Sequence, residues 1–134
     1  VQIGRAEPGS AGGPSTLYDR VGGEQWFVDL VDRFYAGVEA DPVLRPMYPD
    51  DLGGPKRHLT LFLIQFWGGP TTYSEERGHP QLRMRHFPFT VDQAARDAWL
   101  THMTAAVKAG GLSSMDELQV LSYFDRASTH MMNV

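Results

Sequence analysis

Beyond residue 15, four glycine pairs, Gly22-Gly23, Gly53-Gly54, Gly68-Gly69 and Gly110-Gly111, cut this chain into segments and thereby limit what it can fold into. Glycine weakens a helix interior and tolerates backbone angles closed to other residues, so a recurring pair reads as punctuation between elements. Between the pairs the apolar residues recur with a period close to 3.6. From Glu24 to Ala40, Phe27, Leu30, Val31, Phe34, Tyr35 and Val38 form one stripe, while Asp29, Asp32 and Arg33 fall elsewhere. Asp41-Pro42 marks the cap and first turn of a short helical piece ending near Pro46. From Pro55 to Trp67 the stripe is Leu59, Phe62, Leu63 and Phe66, stopped by Gly68-Gly69-Pro70. From about Asp92 to Ala109 it is Ala95, Trp99, Met103, Ala106 and Val107, with Thr90 or Asp92 as cap. A last helix opens on a capping box, Ser114-x-x-Glu117, and carries Leu118, Leu121, Phe124 and Met131. No segment alternates with period two for long enough to make a strand. The pattern predicts an all-α fold of four long helices, two short ones, and a polar stretch from Thr71 to His79.

With 134 residues the chain has material for one domain and one core. Residues 1–15 are rich in Gly, Pro, Ala and Ser and lack apolar periodicity, so a flexible tail is expected there and a folded domain over 16–134. The absence of cysteine removes disulfides, zinc–thiolate sites, iron–sulfur clusters and a thiol nucleophile. A net charge of −4 without any Lys/Arg run argues against an electrostatic grip on nucleic acid. No apolar run is long enough to span a bilayer, and the charged-then-apolar layout of a signal peptide is missing, so a cytoplasmic protein is expected. Zincin, phosphate-loop and nucleophile-elbow motifs are also missing.

The segment from Gly78 to Phe89 carries the chemistry. Pro80 and Pro88 fence a stretch of about two helical turns, on which Leu82 and His86 stand four apart on one face. A histidine held on the apolar face of so short a helix suits the axial ligand of a haem iron. In most proteins the same pattern is a core histidine with a satisfied hydrogen bond, and the spacing alone leaves both readings open.

The run Trp67-Gly-Gly-Pro-Thr-Thr-Tyr-Ser-Glu-Glu-Arg-Gly-His-Pro-Gln-Leu-Arg-Met-Arg-His86, followed by Pro88-Phe89 and Arg96-Asp97-Ala98-Trp99, resembles the group II truncated haemoglobins. Phe34-Tyr35 and the segment from Asp41 to Pro49 resemble the same family, and the similarity extends over roughly residues 16 to 131. The resemblance implies a shortened globin, a two-over-two helical sandwich enclosing haem b. It places His86 as the proximal iron ligand and Tyr35, Tyr48 and Trp99 as the polar groups of the distal pocket. Leu59, Phe62 and Leu63 would line the haem face, and Met84, Phe89, Met103 and Phe124 would add apolar contacts. Arg85, Tyr73 and His58 are candidates for the propionate edge. The usual place of a distal histidine falls near Pro55, so ligand stabilisation is left to the tyrosines and the indole.

Taken singly, Tyr35 and Trp99 could equally be packing residues on core stripes, and Tyr48 a surface aromatic between prolines. As a set they are hydrogen-bond donors suited to the partial negative charge on a diatomic ligand. The resemblance therefore implies reversible binding of O2, CO and NO with slow O2 release. A second class is a haem enzyme, an NO dioxygenase or a peroxidase, which would need a separate reductase because the chain has no flavin or nicotinamide domain. A third is a cofactor-free helical interaction module. The oligomeric state, a homo-oligomer included, is not set by the sequence.

Overall fold

The computed structural model describes residues 15–134, so the tail expected over residues 1–15 lies, apart from Ser15, outside the described residues. Among the described residues every regular element is helical. The order is α1 (Leu17–Arg20), α2 (Glu24–Glu39), a 3-10 turn (Arg45–Met47), α3 (Gly53–Phe66), α4 (Thr72–Arg77), α5 (Leu82–Arg85), α6 (Gln93–Lys108) and α7 (Ser114–His130).

The long helices pack in pairs: α2 on α3 and α6 on α7, with α2 also crossing to α6. This is the expected two-over-two sandwich. The stripe on α2 drives it, because Phe27, Leu30, Val31, Phe34 and Val38 are each no more than 1% exposed. Burying such side chains contributes about 1.5–3 kcal/mol apiece. Aromatic rings then link the layers. Between centroids, Phe27 lies 6.4 Å from Trp67, Trp67 5.6 Å from Phe124, Phe124 5.7 Å from Trp99, and Trp99 5.1 Å from Phe34. Polar ties close the C-terminal end of α6. Arg33 donates to Ala106 O from Nε at 3.1 Å and Nη2 at 3.0 Å, and Trp26 Nε1 donates to Gly110 O at 2.8 Å. These carbonyls have no further helical turn to bond to.

The approach of α2 to α6 depends on Gly37. A Cβ there would stand 2.9 Å from His102 Cγ and closer still to its Nδ1, so any side chain must displace an imidazole that Asp41 holds at 2.6 Å. Alanine in place of glycine in an exposed helix gains about 1 kcal/mol. Here Gly37→Ala is expected to cost about 1–3 kcal/mol through overpacking. Thermal unfolding decides between the two signs, and a Tm at or above that of the parent would contradict the packing argument.

Several boundaries differ from the sequence reading, each for a local reason. Gly53-Gly54 begins α3 and does not separate elements, because Asp51 Oδ1 accepts the Gly53 N–H at 2.9 Å and starts the helix earlier. The last helix is capped by Ser113, whose Oγ accepts the Asp116 N–H at 3.1 Å, one residue before the expected Ser114. Asp116 is thereby placed to pair with Arg20 at 2.9 Å, joining α7 to α1. Asp92, rather than Thr90, caps α6 by accepting the Ala95 N–H at 2.9 Å. α1 was not anticipated, although Thr16 and Asp19 form a capping box around it. The stretch from Thr71 to His79 is not merely polar, since it contains α4. Gln65 holds that helix from outside, accepting from Ser74 N at 2.9 Å and donating to Ser74 Oγ at 2.7 Å. The proline-fenced helix is shorter than two turns. Gln81 enters it at φ 46, a left-handed conformation, and His86 is already its C-terminal cap.

Candidate functional site

His86 is fixed by the turn that precedes it. Its Nδ1 lies 2.7 Å from Leu82 O, and because a carbonyl only accepts, Nδ1 carries the proton. Nε2 is thus the basic ring nitrogen, with its lone pair uncommitted among the described residues. Metal-binding histidines are oriented in this way, with the second nitrogen donating to a backbone carbonyl.

Tyr35, Tyr48 and Trp99 come together although α2, the loop before α3 and α6 supply them separately. The Tyr35 and Tyr48 rings meet edge to face at 5.5 Å, and Tyr35 is 4% exposed. The Tyr48 hydroxyl lies within interaction range of both Tyr35 and the Trp99 indole. An indole N–H only donates, so toward Trp99 any oxygen acts as acceptor. Burial first, and then the neighbouring Tyr48, raise the Tyr35 pKa well above its ordinary value of 10.0. Burial also raises the Tyr48 pKa, while Tyr35 and Trp99 beside it pull the other way. Both phenols are therefore protonated at neutral pH. The three polar side chains thus meet in one place, with Tyr48 beside both of the others.

The loop that carries Tyr48 is anchored at Asp41. Asp41 accepts from His102 Nε2 at 2.6 Å, from Val43 N at 2.8 Å and from Leu44 N at 3.3 Å. These bonds, that of His102 foremost, hold its carboxyl below the ordinary value of 3.8. A depressed acid stabilises the fold above its unfolded pKa, and the stabilisation is lost as pH falls through the lower folded value. Asp41→Asn is expected to lower stability at neutral pH and to flatten the acid limb below pH 3.8. Urea midpoints recorded against pH read this directly, and an acid limb identical to the parent's would refute it.

The remaining predicted residues divide. Phe62, Leu63, Met103 and Phe124 are buried in the shared core, with half-buried Leu59 packed against it. Met84 and Phe89 are 52% and 45% exposed and stand outside that core. Met84 lines a cleft of about 620 Å³ between α5 and α7, together with Leu82, Tyr123, Arg126 and Met131. Tyr73 is buried against Phe62, and the Arg77 and Arg85 guanidiniums each lie 5.9 Å from its ring centre. Arg85 donates to Pro80 O at 2.7 Å and Arg77 O at 2.8 Å. His58 differs from a cationic edge group. Its Nε2 accepts from Arg77 at 3.1 Å, and burial with the nearby arginines lowers its pKa below 6.5, so it is neutral at pH 7. One contributor escaped sequence reasoning. Asn133 donates from Nδ2 to His86 O at 3.3 Å and to Phe89 O at 2.8 Å. A contact across 47 residues leaves no local pattern to find.

The donor set suits a haem. A planar macrocycle with an axial metal needs one neutral imidazole nitrogen, apolar walls and cations for its carboxylates. His86 Nε2, the Phe62–Leu63–Met103–Phe124 core and the arginines around Tyr73 supply these types of group.

Comparison with known proteins agrees. The bacterial-like globin family pattern matches residues 16–133. The Group 2 truncated hemoglobin YjbI of Bacillus subtilis is 40% identical over 111 residues, 83% of this chain and 84% of the relative. The structure of a thermostable hemoglobin from Thermobifida fusca superposes with a TM-score of 0.87 at 56% identity, covering 89% of this chain and 98% of that one. A truncated haemoglobin from Bacillus subtilis, described as oxygen-avid, gives a TM-score of 0.83 at 38% identity, covering 89% and 100%. The chain belongs to the bacterial-like globins, within the group II truncated haemoglobins. Its family is one of haem-binding, gas-binding proteins.

Proposed function

We propose that this globin holds haem b through His86 Nε2 as the sole protein ligand to iron. It binds O2, along with CO and NO, beside the Tyr35–Tyr48–Trp99 network and releases O2 slowly. Haem, when bound, supplies the iron on which a diatomic ligand sits. The chain supplies the rest. Leu82 sets the tautomer and direction of the His86 ring, and the apolar core from α3, α6 and α7 keeps water from the site. Tyr35, Tyr48 and Trp99 offer the donors.

The observation that carries this reading is the meeting of Tyr35, Tyr48 and Trp99, brought from three separate elements to one place where Tyr35 is 4% exposed. A donor fixed in advance costs no reorganisation when negative charge arrives. A hydrogen bond to a charged partner is worth about 1.5–3 kcal/mol, roughly 10- to 150-fold in dissociation rate. The oxygen-avid description of the Bacillus subtilis relative supports the same direction. The test is spectroscopic and kinetic. Purified protein reconstituted with haem should show a Soret band that shifts with CO, and stopped-flow displacement should show O2 leaving slowly. Absence of a Soret band leaves the cofactor-free helical module. Fast release of O2 would refute the donor role.

A further inference from the structure

The backbone around His86 is held from two directions. α5 ends at Arg85 and Pro88 has no N–H to offer, so beyond the local turns Phe87 N–H to Met84 O at 3.2 Å and Phe89 N–H to His86 O at 3.0 Å the segment 86–91 relies on groups from beyond α7. Asn133 spans it with four hydrogen bonds. Its backbone N–H donates to Val91 O at 3.0 Å, and its Oδ1 accepts the Val91 N–H at 2.9 Å. Its Nδ2 reaches His86 O at 3.3 Å and Phe89 O at 2.8 Å. The amide orientation follows from the partners, since one N–H and two carbonyls can be satisfied in only one of its two flips. On the other side, Arg83 Nε donates to His130 O at 3.1 Å and Nη2 to Met132 O at 3.3 Å. The segment that carries His86 is thus gripped before and after the histidine, while Leu82 O sets the ring.

We infer that Asn133 is a positioning residue for the proximal histidine: by clamping the His86 and Phe89 carbonyls it sets where Nε2 meets the iron. This rests on the reading of His86 as the iron ligand. Groups behind a metal-binding histidine commonly alter affinity 10- to 100-fold, roughly, because they fix the geometry of the bond. An amide that served only to finish α7 would stabilise the fold without influencing that bond.

The full chain, loaded with haem and reduced, separates the two roles. Asn133→Ala removes the clamp, and Asn133→Asp keeps an acceptor for the Val91 N–H while turning lone pairs toward both carbonyls. The iron–histidine band in resonance Raman should shift or broaden in both, more in Asn133→Asp. Haem transfer to an excess of a tight-binding apoglobin should speed up about 10-fold or more. Val120→Ala, a change to a residue 1% exposed elsewhere on α7, serves as the destabilised control and should lower Tm without moving the band. A parental band and haem-loss rate in both Asn133 variants would overturn the inference. So would an equal band shift in Val120→Ala. Should the first two variants fail to fold, Asn133→Gln carries the same comparison with the amide displaced by one methylene. A parent protein with no iron–histidine band would instead overturn the assignment of His86, a failure recognisable before any Asn133 variant is made.

Discussion

His86→Ala is expected to leave a folded helical protein that no longer retains haem and has no iron–histidine vibration. The fold should survive because His86 sits after the last turn of α5, and the buried stripes of α2, α6 and α7 do not include it. Haem retention should fail because no other described histidine offers an equivalent nitrogen. His58 Nε2 accepts from Arg77, and His102 Nε2 donates to Asp41. His79 lies outside the core in the turn between α4 and α5, and His130 is exposed at the end of α7. Exogenous imidazole, which can enter the space left by the truncated side chain, should restore both haem binding and the vibration. Rescue distinguishes loss of a ligand from loss of the fold. The assignment falls if His86→Ala keeps the band while alanine at another histidine removes it.

Trp99→Phe is expected to speed O2 dissociation by about 10-fold or more, using 1.5–3 kcal/mol for a hydrogen bond to a charged partner. It should exceed the effect of either Tyr35→Phe or Tyr48→Phe. The indole N–H is a donor fixed by its ring, whereas either phenol hydroxyl can rotate to stand in for the other. Phenylalanine preserves most of the contact with Phe34 and Phe124, whose rings lie 5.1 and 5.7 Å from the indole. The effect on CO should be smaller, because its outer atom carries less negative charge. Stopped-flow displacement of both gases decides the matter. Equal acceleration of the two would make Trp99 a steric gate, and a larger O2 effect in Tyr48→Phe would move the dominant donor to that hydroxyl.

Legibility in the sequence followed the range of the interaction. The long helices could be read because Phe27, Leu30, Val31, Phe34 and Val38 repeat at helical spacing on one element, and burial follows that spacing. The register of a cap was harder. Ser113 and Ser114 are adjacent and chemically alike, and the structure selects Ser113, whose choice places Asp116 against Arg20. α4 could not be read at all, since Thr72–Arg77 has too few apolar residues for a stripe and is held by Gln65 from another helix. At the site, residue types were legible through resemblance to a family, but their connectivity was not. Nothing in the order of Tyr35, Tyr48 and Trp99 says that the two tyrosine rings meet edge to face, and His58 reads as a cation until Arg77 is found beside it.

The clamp on the proximal segment also sets an order of events during folding. α2 and α3 are neighbours in the chain and can pair early, at low cost in loop closure. The contacts that settle His86 span 47 residues, and Arg20 meets Asp116 across 96. As the chain leaves the ribosome, Tyr35, Tyr48 and Trp99 can gather once α6 has emerged, whereas the His86 segment has only its local turns until the stretch beyond α7 brings Asn133. The two halves of the proposed site are therefore completed at different times, the His86 half last. With His86 as the iron ligand, a haem that reached the nascent chain early would meet apolar walls before it met a fully clamped ligand.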